Sequence, residues 1–334
     1  MLISKPSYFD DFHCIASACP DSCCKEWDVQ VDPDAAAFYR ALPGPLGDKL
    51  REVLRDEDGE TVMTITDGRC PMWRSDGLCR IQAELGEEAL CTTCRDFPRL
   101  THDYGDFIER GLELSCPEAA RIILSAAPAP TIVEEFPGTA EPEYDEDAMA
   151  VLKATRETAL ALLSDPAHSI PEMLALLLLY GYQAQGELDG DDILPFDADR
   201  AMDTIRDFGK PGDFQSILDF FAGLEILTPQ WAERLKHPGT PCFPENARNL
   251  VRYFVERYWL QAVSDYDLAC RVKFIVVSCL VIGGLGGNFV DTAQLYSKEI
   301  ENSWENVDAL LDGVYSHPTF TDDKLLGLLT LSKS

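Results

Sequence analysis

Basic side chains are scarce. The chain of 334 residues carries 28 lysines and arginines against 58 aspartates and glutamates, a formal charge of −30. That much negative charge repels phosphate backbones and anionic headgroups, so nucleic acid and membrane surfaces are set aside as partners and a basic protein surface is the complementary one. Only five histidines occur, scattered along the chain. His13 and His102 alone fall near the cysteines described below, and both read as surface or capping residues. Long apolar runs are absent but for residues 274–290, seventeen uncharged positions between Lys273 and Asp291. Spanning a bilayer takes about 20 apolar residues, so this run reads as a buried core helix. No signal-like apolar stretch opens MLISKPSYFDDF, and a cytoplasmic location is expected.

Cysteine, in contrast, is plentiful and unevenly placed. Nine of the twelve lie in the first 116 residues. Stable disulfides are rare in a reducing compartment, so a dense set there points to metal or redox chemistry. The sharpest feature is Cys19-Pro20-Asp21-Ser22-Cys23-Cys24, a compact turn able to aim several thiolates at one ion or cluster. Cys70-Pro71, Cys79 after Asp76-Gly77, Cys91-Thr92-Thr93-Cys94 and Cys116-Pro117 repeat the pattern of a thiol beside a turn. Cys116 falls at the start of a helix, whose dipole favours the thiolate. Cys19, Cys23, Cys24, Cys70, Cys79, Cys94 and Cys116 are the candidate ligands. Cys14 and Cys91 are candidate spectators, and Cys242, Cys270 and Cys279 read as ordinary buried residues. Four thiolates would hold zinc in a closed site, and three or four would hold a 4Fe-4S cluster.

The composition divides the chain into a cysteine-rich, irregular cluster-binding module over 1–125, an acidic, proline-rich linker over 126–148 and a helical domain over 149–334, a mainly α protein. The linker stretch carries no lysine or arginine, and its prolines and like charges favour an extended path. Within the module, helices are expected after Asp32-Pro33, near 45–56, over 80–90 and from Pro117, with a strand at 62–66. Beyond it, helices are expected near 148–164, from Pro171 to a cap at Gly186, and over 212–223, 244–263, 265–283, 291–311 and 322–331. The 244–263 segment sets Tyr253, Phe254, Arg257 and Tyr258 on one face. Gly283-Gly284-Leu285-Gly286-Gly287 mimics a nucleotide-binding loop, but no β-α-β alternation surrounds it. The radical adenosylmethionine spacing C-x3-C-x2-C is absent, because Glu26 stands at its third position.

The segments Phe12-His13-Cys14-Ile15, Cys19-x3-Cys23-Cys24, Trp27, Cys70-Pro71-x-Trp73, Asp76-Gly77-Leu78-Cys79-Arg80-Ile81-Gln82, Thr93-Cys94-Arg95-Asp96-Phe97-Pro98-Arg99 and Leu114-Ser115-Cys116-Pro117-Glu118 together resemble the flagellin lysine N-methylase family. They also resemble the wider group of zinc- or iron-chelating proteins with a Cys-x3-Cys-Cys signature. The resemblance is specific over about residues 1–125 and looser beyond. It implies an iron-sulfur protein that moves a methyl group from S-adenosylmethionine to lysine side chains of a protein, with flagellin the expected substrate. Under that reading Trp27 and Trp73 could contact the sulfonium by cation–π attraction and Arg257 could pair the donor carboxylate. Tyr253 and Tyr258 are the weak catalytic candidates. The ordinary role of each aromatic is core packing. The alternative is a non-enzymatic zinc- or iron-binding interaction protein.

Overall fold

The computed structural model describes residues 2–23, 29–57, 59–125, 131–136 and 141–330. Fifteen α-helices are present among them, so the protein is mainly α. Local chemistry sets many of their ends. Asp32 accepts a hydrogen bond from the Ala35 amide and Pro33 occupies the first turn of helix Pro33–Ala41, and Pro117 opens Pro117–Ser125. Ser169 and Glu172 form a capping box at the start of Ile170–Leu188. This helix runs past Gly186 instead of ending there, and the missing side chain of Gly186 leaves Ile193 room to pack against the backbone. The span expected as one helix over 291–311 is two, Phe289–Ile300 and Trp304–Ser316. Ser303 caps the second by accepting from the Asn306 amide. Helices Ala198–Phe208 and Pro229–Lys236 were not anticipated.

Two sheets give the N-terminal region more order than an irregular module would have. The strands are β1 (Leu2–Pro6), β2 (Val29–Val31), β3 (Leu54–Glu57), β4 (Glu60–Met63), β5 (Arg99–Asp103), β6 (Phe107–Leu112) and β7 (Thr131–Glu135). One sheet has the order β5-β6-β1-β7 and the other β2-β4-β3. β1 lies parallel to β6, with Ile3 opposite Ile108. The remaining pairs are antiparallel. β7 lies within the proline-rich acidic stretch and pairs along the whole of β1.

Apolar burial falls into two cores. The smaller gathers Val29, Val31, Tyr39, Leu50, Met63, Cys70, Met72, Ile81 and Cys91. The larger joins Phe9, Phe12, Phe107, Leu112, Leu114 and Cys116 to the helices that follow. Leu268–Leu285, long and apolar enough to cross a membrane, is 94% buried inside the protein. Its Gly283 and Gly284 face the rings of Phe243 and Phe214, which makes the glycine run a close-packing surface.

Candidate functional site

A cleft of about 550 Å³ opens where the two cores meet. Cys14, Cys19, Cys23, Cys79, Cys94 and Cys116 line it, with His13, Asp21, Arg95 and Arg99. The turn before Cys79 is built by Asp76, whose side chain accepts from the Leu78 amide at 3.2 Å, and by Gly77 at a φ of 81° that suits glycine. Asp21, inside the Cys19–Cys23 turn, is held from the helical side. Lys298, with 4% of its side chain exposed, pairs with the Asp21 carboxylate at 2.8 Å, and Gln294 donates to the Ser115 carbonyl at 2.7 Å. Helix Phe289–Ile300 thereby positions thiols nearly 280 residues earlier in the chain.

The remaining candidate ligands lie apart from the cleft or beyond description. Cys70 sits in the smaller core with its sulfur 3.6 Å from that of Met63. Cys91 is buried there too, and a hydrogen bond with Cys94 lowers its thiol while raising that of Cys94. Cys24 and Trp27 fall outside the described residues. Trp73 lies under the Arg69 guanidinium at 4.0 Å and is not among the cleft-lining residues.

Burial dominates the thiol electrostatics. It pushes Cys19 and Cys79 up, and raises Cys116 to about 12 even though the Ala119 and Glu118 amides oppose it. The helix-end effect expected at Cys116 is therefore present but outweighed. Neighbouring thiols raise one another further. Buried thiols that repel as anions are a donor set that a bound cation would favour in the thiolate form. Among the described residues, no three His, Cys, Asp or Glu side chains are placed to hold a single metal ion.

Glu113, which sequence reasoning missed, faces a pocket with Cys23, Cys94, Phe97 and Asn302. Burial raises its carboxyl above the usual range and Arg257 opposes that rise. Arg257 lies 4.0 Å from Glu113 and 3.2 Å from Glu301. Glu301, whose side chain is fully buried, accepts from the Tyr258 hydroxyl at 2.9 Å and from that of Tyr253 at 3.1 Å. Arg257 also donates to the Tyr253 oxygen at 2.6 Å. Tyr253, Tyr258 and Arg257 are thus polar members of one buried network, with Arg257 already committed to two carboxylates. On its far side, Tyr253 and Arg257 line a second pocket of about 100 Å³ with Tyr8, His102, Glu109, Arg156 and Glu256. His102 Nε2 there is removed from solvent and has no hydrogen-bond partner. A lone glutamate before Leu-Ser-Cys carries no spacing signal, so only the tertiary contacts reveal Glu113 and Glu301.

The chain is 32% identical over 143 residues to the flagellar biosynthetic protein FliU of Salmonella muenchen, a match covering 40% of this chain and 83% of that protein. It is likewise 32% identical over 143 residues to the lysine-N-methylases of Salmonella choleraesuis (strain SC-B67) and Salmonella typhimurium (strain LT2), again over 40% of this chain. The chain belongs to the flagellin lysine N-methylase family. The match spans 35% of the length of those lysine-N-methylases. No family model matches the chain, and no solved structure matches it. For this member of the flagellin lysine N-methylase family, the cysteine cleft and the buried Arg257 network behind it are the features that can carry chemistry.

Proposed function

We propose that this chain transfers methyl groups from S-adenosylmethionine to lysine side chains of a protein, with flagellin the first substrate to try, and that the cysteine cleft holds an iron-sulfur cluster. The observation that carries the reading is the single cleft lined by six thiols in a chain that belongs to a methylase family. Thiols spread around about 550 Å³ suit a polynuclear cluster better than one zinc ion. At about 2.3 Å from each sulfur, zinc would draw its ligands within about 4 Å of one another. Three of Cys19, Cys23, Cys79, Cys94 and Cys116 would hold such a cluster, with Cys24 and Cys70 in reserve. When bound, a cluster with one iron not ligated by cysteine supplies a coordination site for the amino and carboxylate groups of the methyl donor.

Methyl transfer needs a neutral amine. Glu113 faces the adjoining pocket, which shares Cys23, Cys94 and Phe97 with the cleft, and is the carboxylate placed to take the proton from an arriving ammonium, while Arg257 and Glu301 fix its surroundings. The proposed place of action is the cytoplasm, where such thiols stay reduced. A second reading, structural zinc, draws on Cys70 and Cys91 buried in the smaller core with Cys79 and Cys94 against it.

Protein purified without air separates the two. Iron with sulfide, transfer of labelled methyl to lysine, and loss of iron in Cys23→Ser and Cys94→Ser support the cluster reading. Stoichiometric zinc in every preparation, with no transfer, overturns it. Glu113→Gln should lower transfer about a hundredfold or more with iron retained, the range a positioned acid or base contributes.

A further inference from the structure

Residues Glu301 to Trp304 lead from the buried network to the surface. Glu301 is locked in the Arg257 cluster, Asn302 lines the pocket beside Cys23, Cys94 and Glu113, Ser303 caps the next helix, and Trp304 emerges 71% exposed. Tyr315, eleven residues on, is 79% exposed. Eleven residues are three turns, about 16 Å, and return to nearly the same face. Asp308 lies between the two aromatics on that face, with Glu305 and Asp312 flanking it, all exposed. Helix Trp304–Ser316 contains no lysine or arginine. Two exposed rings three turns apart with carboxylates between them fit one chemistry. Ammonium groups rest on ring faces and pair with the acids, while the apolar stems of lysine cover the rings.

We propose that this face docks a helical segment of the protein substrate bearing lysines one turn apart, leading the acceptor lysine past Asn302 into the cleft. The inference rests on the methyl-transfer reading for the substrate's identity. Its geometry stands apart from any bound cofactor. The −30 charge of the chain attracts such a segment from a distance, and the aromatic rings hold it at this helix.

The test uses the full chain and a fluorescently labelled helical peptide with lysine at every fourth position, with a glutamine-for-lysine peptide as control, followed by anisotropy. The lysine peptide should bind and weaken as salt rises. Trp304→Ala with Tyr315→Ala should weaken binding about tenfold, the order of two exposed ring–cation contacts. Asp308→Asn with Asp312→Asn should weaken it and flatten the salt dependence. Leu194→Ser, at another exposed apolar position, should change nothing. Wild-type affinity in both pairs of variants, or equal binding of the glutamine peptide, overturns the proposal. Peptide binding lost in the variants of a protein that transfers no methyl would keep the docking face and remove the methylase reading. Methyl transfer to the folded substrate with KM unchanged in both pairs would do the reverse.

Discussion

Replacing Glu301 with glutamine keeps its volume and an acceptor for the Tyr258 and Tyr253 hydroxyls, but removes the charge that Arg257 faces at 3.2 Å. Arg257 is then left with Glu113 at 4.0 Å. Losing one partner of a buried ion pair costs about 3–5 kcal/mol, and the second carboxylate offsets part of it, so about 3 kcal/mol is expected. Tyr258→Phe removes one hydrogen bond to a carboxylate that keeps its others, for about 1.5 kcal/mol. At about 2.1 cal/mol/K of unfolding entropy per residue, a chain of this length melts about 1.5 °C lower per kcal/mol. Scanning calorimetry should therefore place Glu301→Gln about 4–5 °C below the parent and Tyr258→Phe about 2 °C below. Urea unfolding should show a lower midpoint at unchanged slope. A Glu301→Gln protein melting within about 1 °C of the parent would show that water reaches the pair and screens it, and the argument from desolvation would fail.

Lys298→Met should release the Asp21 turn, and anaerobically purified protein should hold less than half the parent's iron while melting as a folded protein. Equal iron would show that the Lys298–Asp21 pair does not position the thiols. Glu256 is raised chiefly by burial, with Arg252 and Arg156 opposing and Glu109 assisting. Its native value lies above its unfolded one, so its favourable contribution is complete below about pH 4.5 and fades as pH rises through the raised value. Glu256→Gln should then gain stability relative to the parent between pH 4 and pH 7, and a constant difference across that range would refute the shift. Gly284→Ala forces a methyl group into the Phe214 ring and should cost about 1–3 kcal/mol, read as a fall in the urea midpoint. Tyr253→Phe should retain fold and iron, and loss of methyl transfer alone would bring its hydroxyl into the reaction.

Helix starts were legible wherever a cap was written in a few adjacent residues. Asp32 satisfies an orphaned amide locally, and Pro33, Pro117 and Pro171 stand in first turns, where a missing N–H costs nothing. Gly186 misled because it serves packing against Ile193, a contact that no cap rule contains. β1 and β7 escaped because a five-residue strand shows little pattern, and its partners lie more than 100 residues away. Cysteine clustering drew attention to the N-terminal region, and six of those thiols line one cleft. Which thiols share the cleft depended on how the two cores meet.

By itself the sequence determined the helical character of the chain, its acidic balance, and the concentration of thiols at turns, because each depends on residues close together or on a simple sum. Only the tertiary structure decided that Cys70 and Cys91 belong to the smaller core while Cys19, Cys23, Cys79, Cys94 and Cys116 open onto one cleft. It also decided that Asp21 is held by Lys298 and that Glu113, Arg257 and Glu301 form one buried network. The reason is physical. A charge is tolerated away from water only where a partner of opposite sign meets it, and those partners lie up to about 280 residues away, where the packing of the whole chain determines what meets.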